Sequence, residues 1–193
     1  MTRINMRLGL LMAGVVFIAG AVYFHRRFVV KPLSLPAADS TELTHSDLAY
    51  KFHRTISTSE KQHILDGNFA IITSTEGLSQ PVKNAFATIT GVKSFALADP
   101  NQKYQVTDVI GLPRLPSRRL IFAGVCESRW FIYYEHGGIG VSNRILVLDA
   151  APDNSMRFVW GGIGFGFEKP TTLADLRAAI ATGKFADNHA VYW

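Results

Sequence analysis

The side chains with chemistry to offer are few. Cys126 is the single cysteine, Glu135 and His136 stand next to each other, and Tyr133 and Trp160 belong to an aromatic-rich stretch. A thiol nucleophile needs its base within about 2.6–3.2 Å or one water away. Cys126 and His136 fail that test in the register the sequence suggests. With Ser128 and Arg129 as the turn between two strands, Cys126 faces Phe131 and His136 falls opposite Ile121, and the two project to opposite faces. Cys126 then reads as a small core residue. Glu135 and His136 are usable as acid and base if a cleft receives them. Neighbours in a strand point to opposite faces, so the competing reading is a solvated strand end.

The six histidines (25, 45, 53, 63, 136 and 189) are scattered without metal-ligand spacing. One cysteine excludes an intrachain disulfide and a cysteine-based zinc cluster. No metal or cofactor is expected. Arg114, Arg118 and Arg119 could hold an anion or form a solvated strand entry. Trp130, Phe131, Tyr133, Tyr134, Phe158, Trp160, Phe165 and Phe167 could line an apolar pocket, present a protein-binding face, or fill a core. The residues singled out for ligand contact are Tyr133, Glu135, His136 and Trp160.

Gly-Gly-Ile-Gly occurs twice, at 137–140 and 161–164. A phosphate-cradling loop needs a strand, then glycines, then a helix N-terminus. Neither run opens a helix or is followed by Lys-Ser/Thr. The expected role is a positive φ or a bulge where a strand ends or bends.

The elements that must position these residues follow from periodicity. Strands are expected at 119–126, 129–136, 144–149 and 157–160, a four-strand meander rich in Val, Ile, Phe, Tyr and Trp. Several of them are apolar on both faces at the centre, which implies helices over one face and at least partial cover over the other. Upstream, Tyr50–Ile56 alternates as an edge strand. Ser57 and Glu60 make a capping box for a helix stopped by Gly67. Phe69–Thr75 reads as a strand. Val82, Ala85, Phe86 and Ile89 form the stripe of a second helix capped by Ser79. Tyr104–Ile110 reads as a strand, and Leu173, Leu176, Ala179 and Ile180 mark a last helix beginning near Thr172. The tail, 185–193, is aromatic enough to pack back on the domain. The order β-α-β-α-β, meander, α predicts an α+β fold with a mainly antiparallel sheet and two to three packed helices.

Residues 8–24 carry no charge and are flanked by Arg3 and Arg7 on one side and Arg26 and Arg27 on the other. The segment meets the lower length limit for a membrane span. It reads as an uncleaved N-terminal anchor within residues 1–31; the alternative is a signal peptide with its apolar region at 8–18 and a cleavage site at 19–21. A linker at 32–44 and a single globular domain at 45–193 follow. Five of the 20 basic residues and none of the 15 acidic ones lie in 1–31. The remaining chain is formally neutral, which removes a nucleic-acid partner. The resulting expectation is a domain anchored in the inner (cytoplasmic) membrane and facing outward, with a non-catalytic role in binding a protein partner or an apolar small molecule. The alternative is a small hydrolase using Glu135/His136 or Cys126.

Overall fold

The computed structural model describes residues 52, 54–108 and 115–188. The chain divides between Glu42 and Leu43, and every described residue belongs to the second unit. Residues 1–31, with the expected anchor, and the linker at 32–44 lie outside the described residues. Among the described residues no helix is long and apolar enough to cross a membrane.

Helix α1, Thr58–Asp66, starts at the capping box read from the sequence. The Glu60 amide donates to Ser57 Oγ at 3.3 Å, and the Ser57 amide donates to Glu60 Oε2 at 3.0 Å. Two otherwise orphaned donors are thereby satisfied. Strand β1, Ala70–Ile72, is shorter than expected and gives way to a 3₁₀ turn at Thr75–Gly77. Helix α2, Gln80–Ile89, has Pro81 in its first turn and buries Val82, Phe86 and Ile89. Strands β2 (Arg118–Cys126), β3 (Arg129–His136), β4 (Ser142–Ala150) and β5 (Met156–Gly164) follow, then helix α3 (Leu173–Ala181) and strand β6 (Ala186–Asp187). The fold is α+β, with three helices and a six-stranded antiparallel sheet in the order β1-β2-β3-β4-β5-β6.

The sheet separates two cores. On one face, Leu120, Ala123, Ile132, Tyr134, Leu146 and Leu148 pack with Val82, Phe86 and Ile89 of α2. On the other, Phe122, Phe131, Tyr133, Ile145, Val147 and Trp160 pack with Ile64 of α1 and with Leu176, Ala179 and Ile180 of α3. Cover on both faces explains why β3 and β4 are apolar without alternation.

Four expectations need correction. Segment 104–108 is not a strand. It contributes one parallel bridge, Thr107 to Gly138, because it crosses the sheet end rather than running beside an edge; residues 109–110 lie outside the described residues. Residues 54–56 are not in a strand, while 50, 51 and 53 lie outside the described residues. The β2–β3 turn is Glu127-Ser128, not Ser128-Arg129: Cys126 pairs with Arg129. Glu127 takes a φ of 53°, the mirror-image backbone that fits the twist of a tight hairpin. Ile121 is a bulge between Leu120 and Phe122, so His136 pairs with Arg118, not with Ile121. Finally, the two glycine runs differ. Gly137–Gly140 bridges β3 and β4, whereas Gly161–Gly164 continues β5.

Candidate functional site at the β3–β4 end of the sheet

Two consecutive pairs set up this end. Arg119 lies opposite Glu135, and Arg118 lies opposite His136. Strand alternation then sends each pair to a different face.

On the α1/α3 face, Glu135 is buried and saturated. Arg119 Nε donates to its Oε2 at 2.9 Å, with Nη2 donating to the same oxygen. Lys169 Nζ donates to Oε1 at 3.2 Å. The Arg119 guanidinium in turn stacks on Tyr104, 4.5 Å from the ring centroid. A carboxylate whose two oxygens are taken by two cations is a clamp between β2, β3 and the segment before α3.

On the α2 face, three nitrogen bases gather. His136 stands in register with Arg118 and Ser142, and Tyr134 with Arg144. Arg118 and Arg144 are buried, at 6% and 5% exposure. Arg144 Nε donates to Ser142 Oγ at 3.0 Å. Arg118 donates to Ser117 Oγ at 3.3 Å and to the Thr90 carbonyl at 3.4 Å. Burial, then the charges of Arg118 and Arg144, push the His136 imidazole down to about 3, so it is neutral at pH 7 and can donate one N–H. Burial pushes the Tyr134 phenol up, while the two guanidiniums pull against it.

His136 and Arg144 of this group line a cavity of about 610 Å³, within the size range of small-ligand sites. Its walls come from three places: Gln105, Thr107 and Asp108 of the crossing segment, the loop Gly137–Gly140, and Phe165 after β5. Ser117, His136, Ser142 and Arg144 form the polar floor. The crossing segment is fixed to the loop by backbone bonds. The Gly138 amide donates to the Val106 carbonyl at 3.0 Å, and the Gly137 amide to the Ser117 carbonyl at 2.9 Å. Gly137 is required there, since a Cβ would lie 2.0 Å from the Gln105 carbonyl oxygen. The rim is apolar: Ile139 is fully exposed and Phe165 is 64% exposed.

Of the four residues singled out in the sequence, His136 alone lines this cavity. Glu135 sits on the opposite face. Tyr133 and Trp160 are core. The Tyr133 ring meets Phe122 edge-on at 5.3 Å and Phe185 at 6.0 Å. Its phenol is pushed up by burial and then by the Glu135 charge. Trp160 is 2% exposed and its indole N–H donates to Asp187 Oδ1 at 2.7 Å. Cys126 packs against the α1/α3 core, seven β3 residues from the His136 end of the ladder, or about 23 Å at strand rise. Among the described residues no three His, Cys, Asp or Glu side chains form a metal-binding group.

Sequence reasoning missed Arg144, Ser142, Ser117, Asp108 and Ile139 as site residues, and it placed Phe165 only in the aromatic cluster. Arg144 had a signal: a guanidinium at the head of an apolar strand is costly to bury without a polar purpose. Asp108 had none, because its place depends on the segment crossing the sheet end. Comparison with protein-family models, curated proteins and solved structures finds no significant match to the chain.

Proposed function

We propose that the domain is a non-catalytic ligand-binding module, tethered to the inner membrane by residues 8–24 and facing outward. The observation that carries the binding role is the cavity at the β3–β4 end, where hydrogen-bonding groups converge under an exposed apolar rim. The tether rests on the uncharged run and its flanking arginines alone. The hydrolase alternative draws no support from the geometry. Glu135 and His136 occupy opposite faces, Glu135 is bound by two cations, and Cys126 is at the other end of the β2–β3 ladder. A pocket among the core aromatics is likewise unsupported, since Tyr133 and Trp160 are packed on neighbours.

The test is a screen of a chemically diverse small-molecule library by amide and side-chain NMR. Binders are expected to shift His136, Gly138 and Ser142 together and to leave Cys126 and Asp149 unmoved. Binders that map elsewhere, or turnover of a substrate that is abolished in a His136→Ala variant, would overturn the reading.

A further inference from the structure

The cavity has a directional chemistry. Its floor carries Arg144 and His136, with Arg118 beside them on the same face. Among the described lining residues Asp108 is the sole carboxylate, and it sits on the crossing segment, at the wall rather than the floor. Two guanidiniums and a neutral imidazole thus share one buried face beside the cavity. Burial first, and then the Arg118 and Arg144 charges, keep His136 neutral.

The rim is the opposite in character. Among the described residues six large hydrophobic side chains are exposed. Ile139 and Phe165 line the cavity mouth. Val141 adjoins the floor residue Ser142, and Val106 is bonded through its carbonyl to Gly138. Two of the six, Ile139 and Phe165, therefore stand at one opening. A free polar solute would use the floor and ignore the rim; an apolar one would desolvate the floor at a cost.

Resting on the binding role proposed above, we propose that the site takes an amphipathic anion, with a carboxylate or phosphate head against Arg144 and His136 and an aliphatic arm leaving between Ile139 and Phe165. Arginine suits such a head because its fork matches two anionic oxygens. The head could belong to a free fatty-acid-like molecule or to a lipid of the bilayer.

The test uses the full chain in lipid nanodiscs and five probes below their micellar range: octanoate, octyl phosphate, octanol, acetate and inorganic phosphate. Calorimetry with neutral phosphatidylcholine discs should show octanoate or octyl phosphate binding at least about tenfold more tightly than octanol, acetate and phosphate. Arg144→Gln and, independently, the surface change Ile139→Asp should each weaken binding about tenfold; the second variant leaves the buried floor intact and guards against misfolding of the first. Bound octanoate should raise the His136 imidazole titration, because an anion beside it favours the charged ring. Discs containing phosphatidylglycerol assign the source: loss of octanoate binding there marks a bilayer lipid as occupant, and unchanged binding marks a free molecule. Octanol binding as tightly as octanoate, or acetate as tightly as octanoate, would overturn the amphipathic-anion assignment while leaving the binding role in place. Failure of all five probes together with failure of the diverse library would remove both.

Discussion

The two Gly-Gly-Ile-Gly runs should respond in opposite ways to the same change. Gly162 lies within β5, paired with Ile145 and with Asp187. A Cβ there would stand 2.5 Å from Trp160 Cη2, 2.7 Å from Cζ2 and 2.8 Å from Ile145 Cγ2, all well inside carbon contact distance. The indole cannot simply step aside. It is 2% exposed, and moving it breaks the 2.7 Å bond to Asp187, a bond to a charged acceptor worth about 1.5–3 kcal/mol. Gly162→Ala should therefore cost about 2–3 kcal/mol, the upper range for overpacking. Gly140 has nothing within 4 Å of its would-be Cβ and no positive φ. Gly140→Ala should change stability by about 0.5 kcal/mol or less, toward greater stability through the unfolded chain. Urea unfolding followed by tryptophan emission gives both values, and near-ultraviolet circular dichroism reports the indole environment. Equal midpoints for the two variants would refute the claim that the second run exists to let the chain pass Trp160.

Other outcomes follow from the charge pattern and the anchor. The unfolded chain takes up a proton on His136 near pH 6.5 and the folded chain only near 3, so stability is full above pH 6.5 and falls with decreasing pH; after discounting for partial exposure, about 1 kcal/mol should be gone by pH 5, and His136→Gln should flatten that slope in urea titrations. Asp149 is held below the usual carboxylate range, first by its hydrogen bond from Arg129 and then by Arg157; its contribution persists above pH 3.8 and is lost as pH falls through its lowered value. Asp149→Ala leaves Arg129 half-buried without that partner and should cost about 2 kcal/mol at pH 7, measured by the urea midpoint. Deleting residues 1–31 should give a soluble folded domain with unchanged near-ultraviolet dichroism, and a C-terminal alkaline phosphatase fusion to the full chain should be active; aggregation or an inactive fusion would sink the tether or its orientation.

Local rules carried much of the fold. Ser57 with Glu60 and the Val82–Phe86–Ile89 stripe marked α1 and α2 because capping and 3.6-residue periodicity are written in adjacent residues. The four long strands were legible because β-branched and aromatic residues dominate them. The register was not. The bulge at Ile121 and the positive φ at Glu127 are each one-residue events, and a single residue moves every cross-strand pairing. The crossing of 104–108 was hidden for a different reason: Tyr104, Val106 and Asp108 alternate like a strand, yet the segment's backbone bonds run from the Gln105 amide to the Pro116 carbonyl and from the Gly138 amide to the Val106 carbonyl. Since the cavity is built from that crossing and that register, His136 could be nominated from sequence and its neighbours could not.

The sheet ends are chemically unequal, and the inequality comes from how adjacent charges are divided. At the β2–β3 turn end, Asp149 lies between Arg129 and Arg157 in direct register on three neighbouring strands. It accepts from Arg129 Nε at 2.8 Å and from Arg157 Nη2 at 2.8 Å. One carboxylate closes that end. At the other end the dipeptides Arg118-Arg119 and Glu135-His136 are paired residue for residue, and alternation sorts them. Glu135 goes to the face where Arg119 and Lys169 meet it. His136 goes to the face that already holds Arg118 and Arg144. Had the Phe122–Tyr133 register run on unbroken, Glu135 would have faced Leu120 and His136 would have faced Arg119, and the carboxylate would have lost its cross-strand cation. The bulge at Ile121, which absorbs a residue of β2 before Arg119 and Arg118, places Arg119 opposite Glu135 and Arg118 opposite His136. A single extra residue in one strand thus decides which arginine meets the carboxylate and which meets the imidazole.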